Sequence, residues 1–282
     1  MTHNHTFPLL KKWMTRSAIS LALGASCLTP LAAYAHRPFI LPSSTIVNGK
    51  APWVSFDAAA SSDVFFFDHV ALNLSNLVIT AADGSIVKAE NTNTAKFRSS
   101  FDLPTTLPGT YKISVVNEGV NASYKENGAP KRWRGSVDAF AKEVPANAEA
   151  LEVTYSQGRI ETFITNGKPN ATALTPTGKG LELSAITHPN DLMAGEKAQF
   201  RLLLDGKPAA GVKVTVVAGG IRYRQKLDEQ TFISDPDGKV DIQWQGAGMY
   251  WLEATHKDNN SKLAAAKERR LSYIATLEVL PQ

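Results

Sequence analysis

The chain has 282 residues and a formal charge of +4, set by 30 lysines and arginines against 26 aspartates and glutamates. Three of those cations and none of the acids lie in residues 1–35, which leaves +1 on the remainder and no electrostatic footprint for nucleic acid. The one cysteine, Cys27, falls in the same opening stretch, so the remainder has neither a thiol nucleophile nor a disulfide and must be held by core burial.

The opening stretch reads as a secretory signal peptide. Lys11, Lys12 and Arg16 precede an apolar run from Ala18 to Leu28, and Ala33-Tyr34-Ala35 is a small-residue exit that places the cut before His36. Gly24 and Pro30 break the run well short of the about 20 apolar residues a membrane span requires, so the chain is expected to be exported and not membrane-spanning. Acylation at Cys27 is the competing reading, disfavoured because Gly24-Ala25-Ser26 lack a large aliphatic residue three positions upstream.

After the cut, Val54 and Phe56 alternate with Trp53, Ser55 and Asp57, Leu72 and Leu74 share a face, and Asp83-Gly84 suits a hairpin turn. Tyr111, Ile113 and Val115 alternate after the turn Leu107-Pro108-Gly109. From Asn166 to Gly180 the chain is rich in Gly, Pro, Thr and Asn without apolar periodicity, and a domain boundary is placed there. Beyond it, Phe200/Leu202/Leu204, Val212/Val214/Val216, Val240/Ile242/Trp244 and Tyr273/Ala275/Leu277/Val279 repeat with period two, separated by Asp205-Gly206, Gly219-Gly220, Asp235-Pro236-Asp237-Gly238 and Gly246-Ala247-Gly248. Lys257 to Arg270 is expected to be a long exposed hairpin loop. Gly109-Thr110-Tyr111 and Gly248-Met249-Tyr250 each lead from a glycine turn into a strand that starts with an aromatic, which hints at two related sandwiches. The expected architecture is all-β: a signal peptide at 1–35, an N-terminal β-sandwich at 36–170, a linker at 171–180 and a C-terminal β-sandwich at 181–282.

No Gly-x-Ser-x-Gly elbow, phosphate-cradling glycine loop or His-Glu-x-x-His helix occurs, and no acid-base pair stands out. The Asp235-Pro-Asp-Gly turn opens like a calcium loop, but its twelfth position is Gly246 where a bidentate glutamate is needed, so it is read as a turn. In Lys131-Arg132-Trp133-Arg134 the tryptophan is expected to fold back on the sandwich, with stacking on a sugar or partner as the alternative. Four histidines follow the cut. His36 would then carry a free α-amine, titrating near about 7.7–8.0, beside its imidazole; that pair is a bidentate chelate, and with one more imidazole it gives a planar three-nitrogen field suited to Cu(II) or Ni(II). Pro38 has no amide proton, so further ligands must come from elsewhere in the fold. His69, in Phe65-Phe66-Phe67-Asp68-His69, reads either as that second ligand or as a strand-end histidine bonded to its own backbone. His188 precedes Pro189 and reads first as a residue orienting an extended turn, with metal ligation the lesser alternative. His256 reads as surface or turn.

Three segments resemble the bacterial family catalogued as domain of unknown function 4198: the start His36-Arg37-Pro38-Phe39-Ile40-Leu41-Pro42; the run Leu174-Thr175-Pro176-Thr177-Gly178-Lys179-Gly180-Leu181-Glu182-Leu183 with Thr187-His188-Pro189-Asn190-Asp191-Leu192; and Leu204 to Val212, a pattern shared with transthyretin-like and carboxypeptidase-regulatory-like sandwiches. That resemblance implies a periplasmic protein of two immunoglobulin- or transthyretin-like sandwiches. Members are often labelled nickel-uptake or nickel-transport-associated, which implies a divalent transition metal (nickel or copper foremost, iron also) and, as partner, an outer-membrane receptor or an inner-membrane transporter component. This chain departs from the family's opening at Phe39, where tryptophan is common, and at Leu41, where an acidic residue is common. The leading expectation is a non-catalytic metal-binding protein using His36, His69 and, less strongly, His188. A copper histidine-brace oxidase acting on polysaccharide and a structural module binding a glycan or protein partner are the rivals.

Overall fold

The computed structural model describes Met1 and residues 36–224 and 226–282. The expected signal peptide, residues 1–35 with Cys27, lies outside the described residues apart from Met1. In chain order the strands are β1 (Arg37–Pro42), β2 (Ile46–Val47), β3 (Trp53–Ser61), β4 (Val70–Ala71), β5 (Leu77–Thr80), β6 (Ile86–Val87), β7 (Glu90–Thr94), β8 (Ser99–Pro104), β9 (Gly109–Glu126) and β10 (Ala129–Gly135). Helix α1 (Val137–Glu143) precedes β11 (Glu149–Asn166), β12 (Leu181–Ala185), β13 (Lys197–Leu204), β14 (Lys207–Pro208), β15 (Lys213–Ala218), β16 (Gln230–Ile233), β17 (Lys239–Gln243), β18 (Gly248–Asp258) and β19 (Glu268–Val279).

The strands form three sheets. A ten-stranded sheet runs β16-β15-β18-β19-β11-β9-β5-β6, with β10 on β9 and β2 on β11; smaller sheets are β1-β3-β8-β7 with β4, and β12-β13-β14 with β17. The two small sheets bury apolar faces against the large one. Phe39, Phe56, Phe101, Tyr111 and Ile113 form the first core, joined by Val217, Trp251 and Ile274 from the C-terminal half. Phe200, Leu202, Val214, Val216, Trp244 and Tyr273 form the second, where the period-two alternation of the sequence puts every one of these side chains inward. This is the all-β sandwich architecture expected.

The tyrosines of the two matching glycine turns do the same work in both halves. Tyr111 Oη donates to Leu107 O at 3.0 Å and accepts from Leu107 N at 2.8 Å, while Tyr250 Oη donates to Gly246 O at 2.9 Å and accepts from Gly246 N at 3.2 Å. Each is a buried tyrosine pinning the backbone four residues upstream, the corner motif of immunoglobulin-like sandwiches.

The large sheet crosses from one half to the other. β19 runs parallel to β11 from Thr154↔Glu268 to Thr162↔Thr276, and residues His36–Gln282 cluster as one compact unit. The stretch between the halves is tied down: Glu182 accepts hydrogen bonds from Thr177 N (2.8 Å), Thr177 Oγ1 (2.9 Å), Gly178 N (2.7 Å) and Lys179 N (3.2 Å). Beneath it, buried Arg159 lies 3.2 Å from Glu161 and 3.5 Å from Glu182, and Ser114 and Tyr273 donate to Glu161. Burial and then the Glu161 charge push the Tyr273 phenol well above its ordinary pKa, so it remains a donor.

Two local readings are corrected. The Lys257–Arg270 segment is a hairpin loop only between Asp258 and Glu268; both strands run further because buried Arg269 reaches back to Asp258 (2.6 Å) and Asp205 (2.8 Å). The segment after Trp133 contains α1, capped by Ser136, whose side chain accepts from Ala139 N at 3.1 Å. Trp133 packs against Phe140 and donates to Glu143 at 2.9 Å, which is the folded-back placement.

Candidate functional site

β1 and β4 lie on either side of the last residues of β3: Arg37 pairs with Ser61, and Val70 pairs with Ala60. His36 precedes the first residue of β1 and His69 the first residue of β4, so both lie at the end of β3. Their imidazoles meet there, face to face, with ring centroids 3.4 Å apart and planes 4° from parallel. Both histidines are exposed.

Each side of this pair is anchored by its neighbours. The Arg37 guanidinium lies 5.5 Å over the Trp251 ring, 3.7 Å from Glu229, and donates to Ser62 O at 3.3 Å. Trp251 Nε1 in turn donates to Pro38 O at 2.9 Å, so β18 holds the start of β1 at Arg37 and Pro38. On the other side, residues 62–69 form a loop closed by Asp68, whose carboxylate accepts from Ser62 N at 3.0 Å, and by Phe66 N donating to Asp63 O at 3.1 Å. Phe65 takes a left-handed backbone, φ 65°, which costs about 1 kcal/mol or more for a residue of this size and is offset by ring packing against Phe39 at 5.3 Å. Phe67 sits 5.8 Å from Phe39, and Arg222 stacks 3.6 Å over Phe66. The three phenylalanines are thus anchors that aim His69, and Asp68 Oδ1 closes the loop.

Two stacked imidazoles are close enough to share a metal but not yet oriented to do so. Ring nitrogen lone pairs lie in the ring plane, so parallel rings direct them side by side; a metal at about 2.0–2.1 Å from both nitrogens requires one ring to turn out of the stack. Among the described residues, no group of three or more His, Cys, Asp or Glu side chains is placed to hold a metal ion.

His188 has a different role. Its Nδ1 accepts from Asn190 N at 3.2 Å, and since a backbone N–H can only donate, the ring proton must sit on Nε2, which faces Thr110 Oγ1 at 3.0 Å and Asn170 O at 3.2 Å. Burial pulls its pKa below the ordinary histidine value, with the Asn170 bond and Asp191 opposing. Both nitrogens are engaged in holding a turn, so His188 has no lone pair free for a metal. His256 lies 3.9 Å from Asp258, a carboxylate already taken by Arg269. The anchors Trp251, Glu229 and Arg222 were not legible in the sequence, because they come from strands and loops far along the chain from His36 and His69 and no local pattern marks them.

No curated protein matches this chain. Among solved structures, the D0-D1 domain of Intimin is 14% identical, covering 86% of this chain and 97% of that one with a TM-score of 0.22. The human OSCAR ligand-binding domain is 11% identical, covering 88% and 100%, with a TM-score of 0.21. A DUF4785 family protein from Legionella pneumophila is 6% identical, covering 76% and 50%, with a TM-score of 0.23. At these scores the likenesses bear on neither site nor function. The family described as domain of unknown function (DUF4198) matches residues 33–258, from just before β1 to the end of β18, and the chain belongs to it.

Proposed function

We propose that this protein is exported to the periplasm, processed after Ala35, and binds a divalent transition metal, nickel or copper, through the amine and ring of His36 and the ring of His69, as a non-catalytic carrier for a metal-uptake partner. The observation that carries this reading is the His36–His69 stack, which brings together two residues 33 positions apart in sequence. The second support is the run of sequence features that place a signal-peptidase cut directly before His36. Cleavage supplies the third nitrogen: until it occurs, the His36 main-chain nitrogen is an amide with no lone pair to offer. Three nitrogens in a plane suit Cu(II) and Ni(II). The surrounding anchors fix the two backbones while leaving both rings at the surface, where one can turn.

Calorimetric titration of the chain beginning at His36 with Ni(II), Cu(II) and Zn(II) tests this. Binding is expected, with a loss of roughly tenfold or more in His36→Ala, in His69→Ala and in a chain that retains residues before His36. Equal affinity in all four proteins would remove the site.

A further inference from the structure

Past the first core, the large sheet continues with one face uncovered. The small sheet ends at Pro38 and at Leu72–Asn73, which close one side of a groove of about 1200 Å³. The floor can be followed strand by strand. Lys213 (β15) pairs with Thr255 (β18), Thr255 with Ser272 (β19), Ser272 with Gly158 (β11), and Gly158 with Asn117 (β9), so these five residues form one straight row across five strands. The next row on the same face is Lys257, Arg270, Ser156 and Gly119. Beyond it Asn121 pairs with Arg134 of β10. The face therefore spans six strands, about 24 Å at ordinary strand spacing.

The rows of this face carry glycine, serine, threonine and asparagine, the end against the first core is apolar at Pro38, Leu72, Ile160 and Ile274, and the flanks carry Arg134, Lys213, Lys257 and Arg270, all exposed. Among the described residues, Arg134, Lys213 and Lys257 make no ion pair, and Arg270 pairs only with half-buried Glu268. Glu118, at the margin, is committed to Gln157 at 3.0 Å and Lys262 at 3.8 Å. No phenylalanine, tyrosine or tryptophan is among the residues lining the groove. An uncharged sugar would lack a stacking platform there, and an extended peptide would find the main-chain hydrogen bonds of the sheet already made, since this is a face and not an edge.

We infer that this face is a binding groove for a linear acidic oligosaccharide. Its carboxylates are set against the four flanking cations, and its hydroxyls against the floor of serine, threonine and asparagine side chains, which both donate and accept. The groove is independent of the proposed metal pair, because none of its cations takes part in holding His36 or His69.

The test is calorimetry on the chain beginning at His36, using short oligomers of galacturonate, alginate and hyaluronate, with methyl-esterified oligogalacturonate and oligoglutamate as controls. At least one acidic glycan is expected to bind, weakening as salt rises toward about 0.5 M and losing roughly tenfold in each of Lys257→Glu and Arg270→Glu. Gly158→Leu should also abolish binding: Gly158 has an ordinary backbone conformation, and an added Cβ would meet only Ser272 Oγ, at 3.3 Å. Should that variant fail to fold, the two exposed charge reversals carry the test. Binding to none of the three glycans, equal binding of the methyl ester or of oligoglutamate, or indifference to both charge reversals would overturn the inference. His36→Ala should leave glycan affinity unchanged, so the metal reading and this one fail separately.

Discussion

Glu182→Gln should destabilise the protein far more than a one-atom change at a loop-strand junction suggests. One carboxylate oxygen accepts from Thr177 N and Thr177 Oγ1 and the other from Gly178 N and Lys179 N, with Arg159 3.5 Å away. A glutamine amide offers one acceptor oxygen and one NH2, so whichever way it is placed, backbone or guanidinium donors end up facing a donor. With hydrogen bonds to a charged acceptor worth about 1.5–3 kcal/mol, and stranded donors costing about 1–3 kcal/mol, the loss is about 3 kcal/mol after allowing for partial access of water to the loop. For a chain of this size that is a fall of about 6–12 °C in melting temperature. Scanning calorimetry of the chain beginning at His36, supported by urea titration, reads both quantities. Lys179→Ala, which keeps the backbone donor, should stay within about 0.5 kcal/mol of the parent. A Glu182→Gln shift of less than about 1 kcal/mol would refute the view that this carboxylate organises the segment.

The two tyrosine corners predict that Tyr111→Phe and Tyr250→Phe each cost about 1–2 kcal/mol in urea unfolding, with additive effects because they belong to different core clusters. His188 has a depressed pKa, so the neutral ring contributes stability that is complete above its unfolded value of 6.5 and is lost as pH falls through the lower folded value. Unfolding free energy measured from pH 8 downward should therefore decline below about 6.5, and His188→Asn should flatten that decline. Asp258 is held low by its hydrogen bond to Arg269 in spite of partial burial, and Asp205 is held low by Arg269 although burial opposes it; both contribute above their unfolded value of 3.8 and lose that contribution as pH falls through the lower folded values. Arg269→Gln should thus weaken the protein at neutral pH and reduce the steepness of its acid unfolding below about pH 4.

Strand positions in the second half were legible because period-two alternation is a local consequence of burying one face of a pleated strand, and Phe200, Leu202, Val214, Val216, Ile242 and Tyr273 are all buried as that pattern requires. The paired glycine-tyrosine turns were legible for a similar reason, since the corner is closed within five residues. Short α1 escaped notice because seven residues with one buried side chain carry almost no periodic signal. His36 and His69 could be singled out by residue type and by the expected cleavage, yet their contact depends on β1 and β4 flanking the end of β3, a pairing that alternation cannot specify.

The sequence by itself determined the period of the second-half strands, the turn residues that separate them and the histidines that could donate imidazole nitrogen. The tertiary structure alone decided that β19 lies parallel to β11, that one histidine is consumed by a turn while two meet, and that Lys213, Thr255, Ser272, Gly158 and Asn117 from five strands align into one row. The physical reason is that local backbone preference is fixed by neighbours in sequence, whereas the partner of a strand is chosen by which apolar faces can be buried together across long loops.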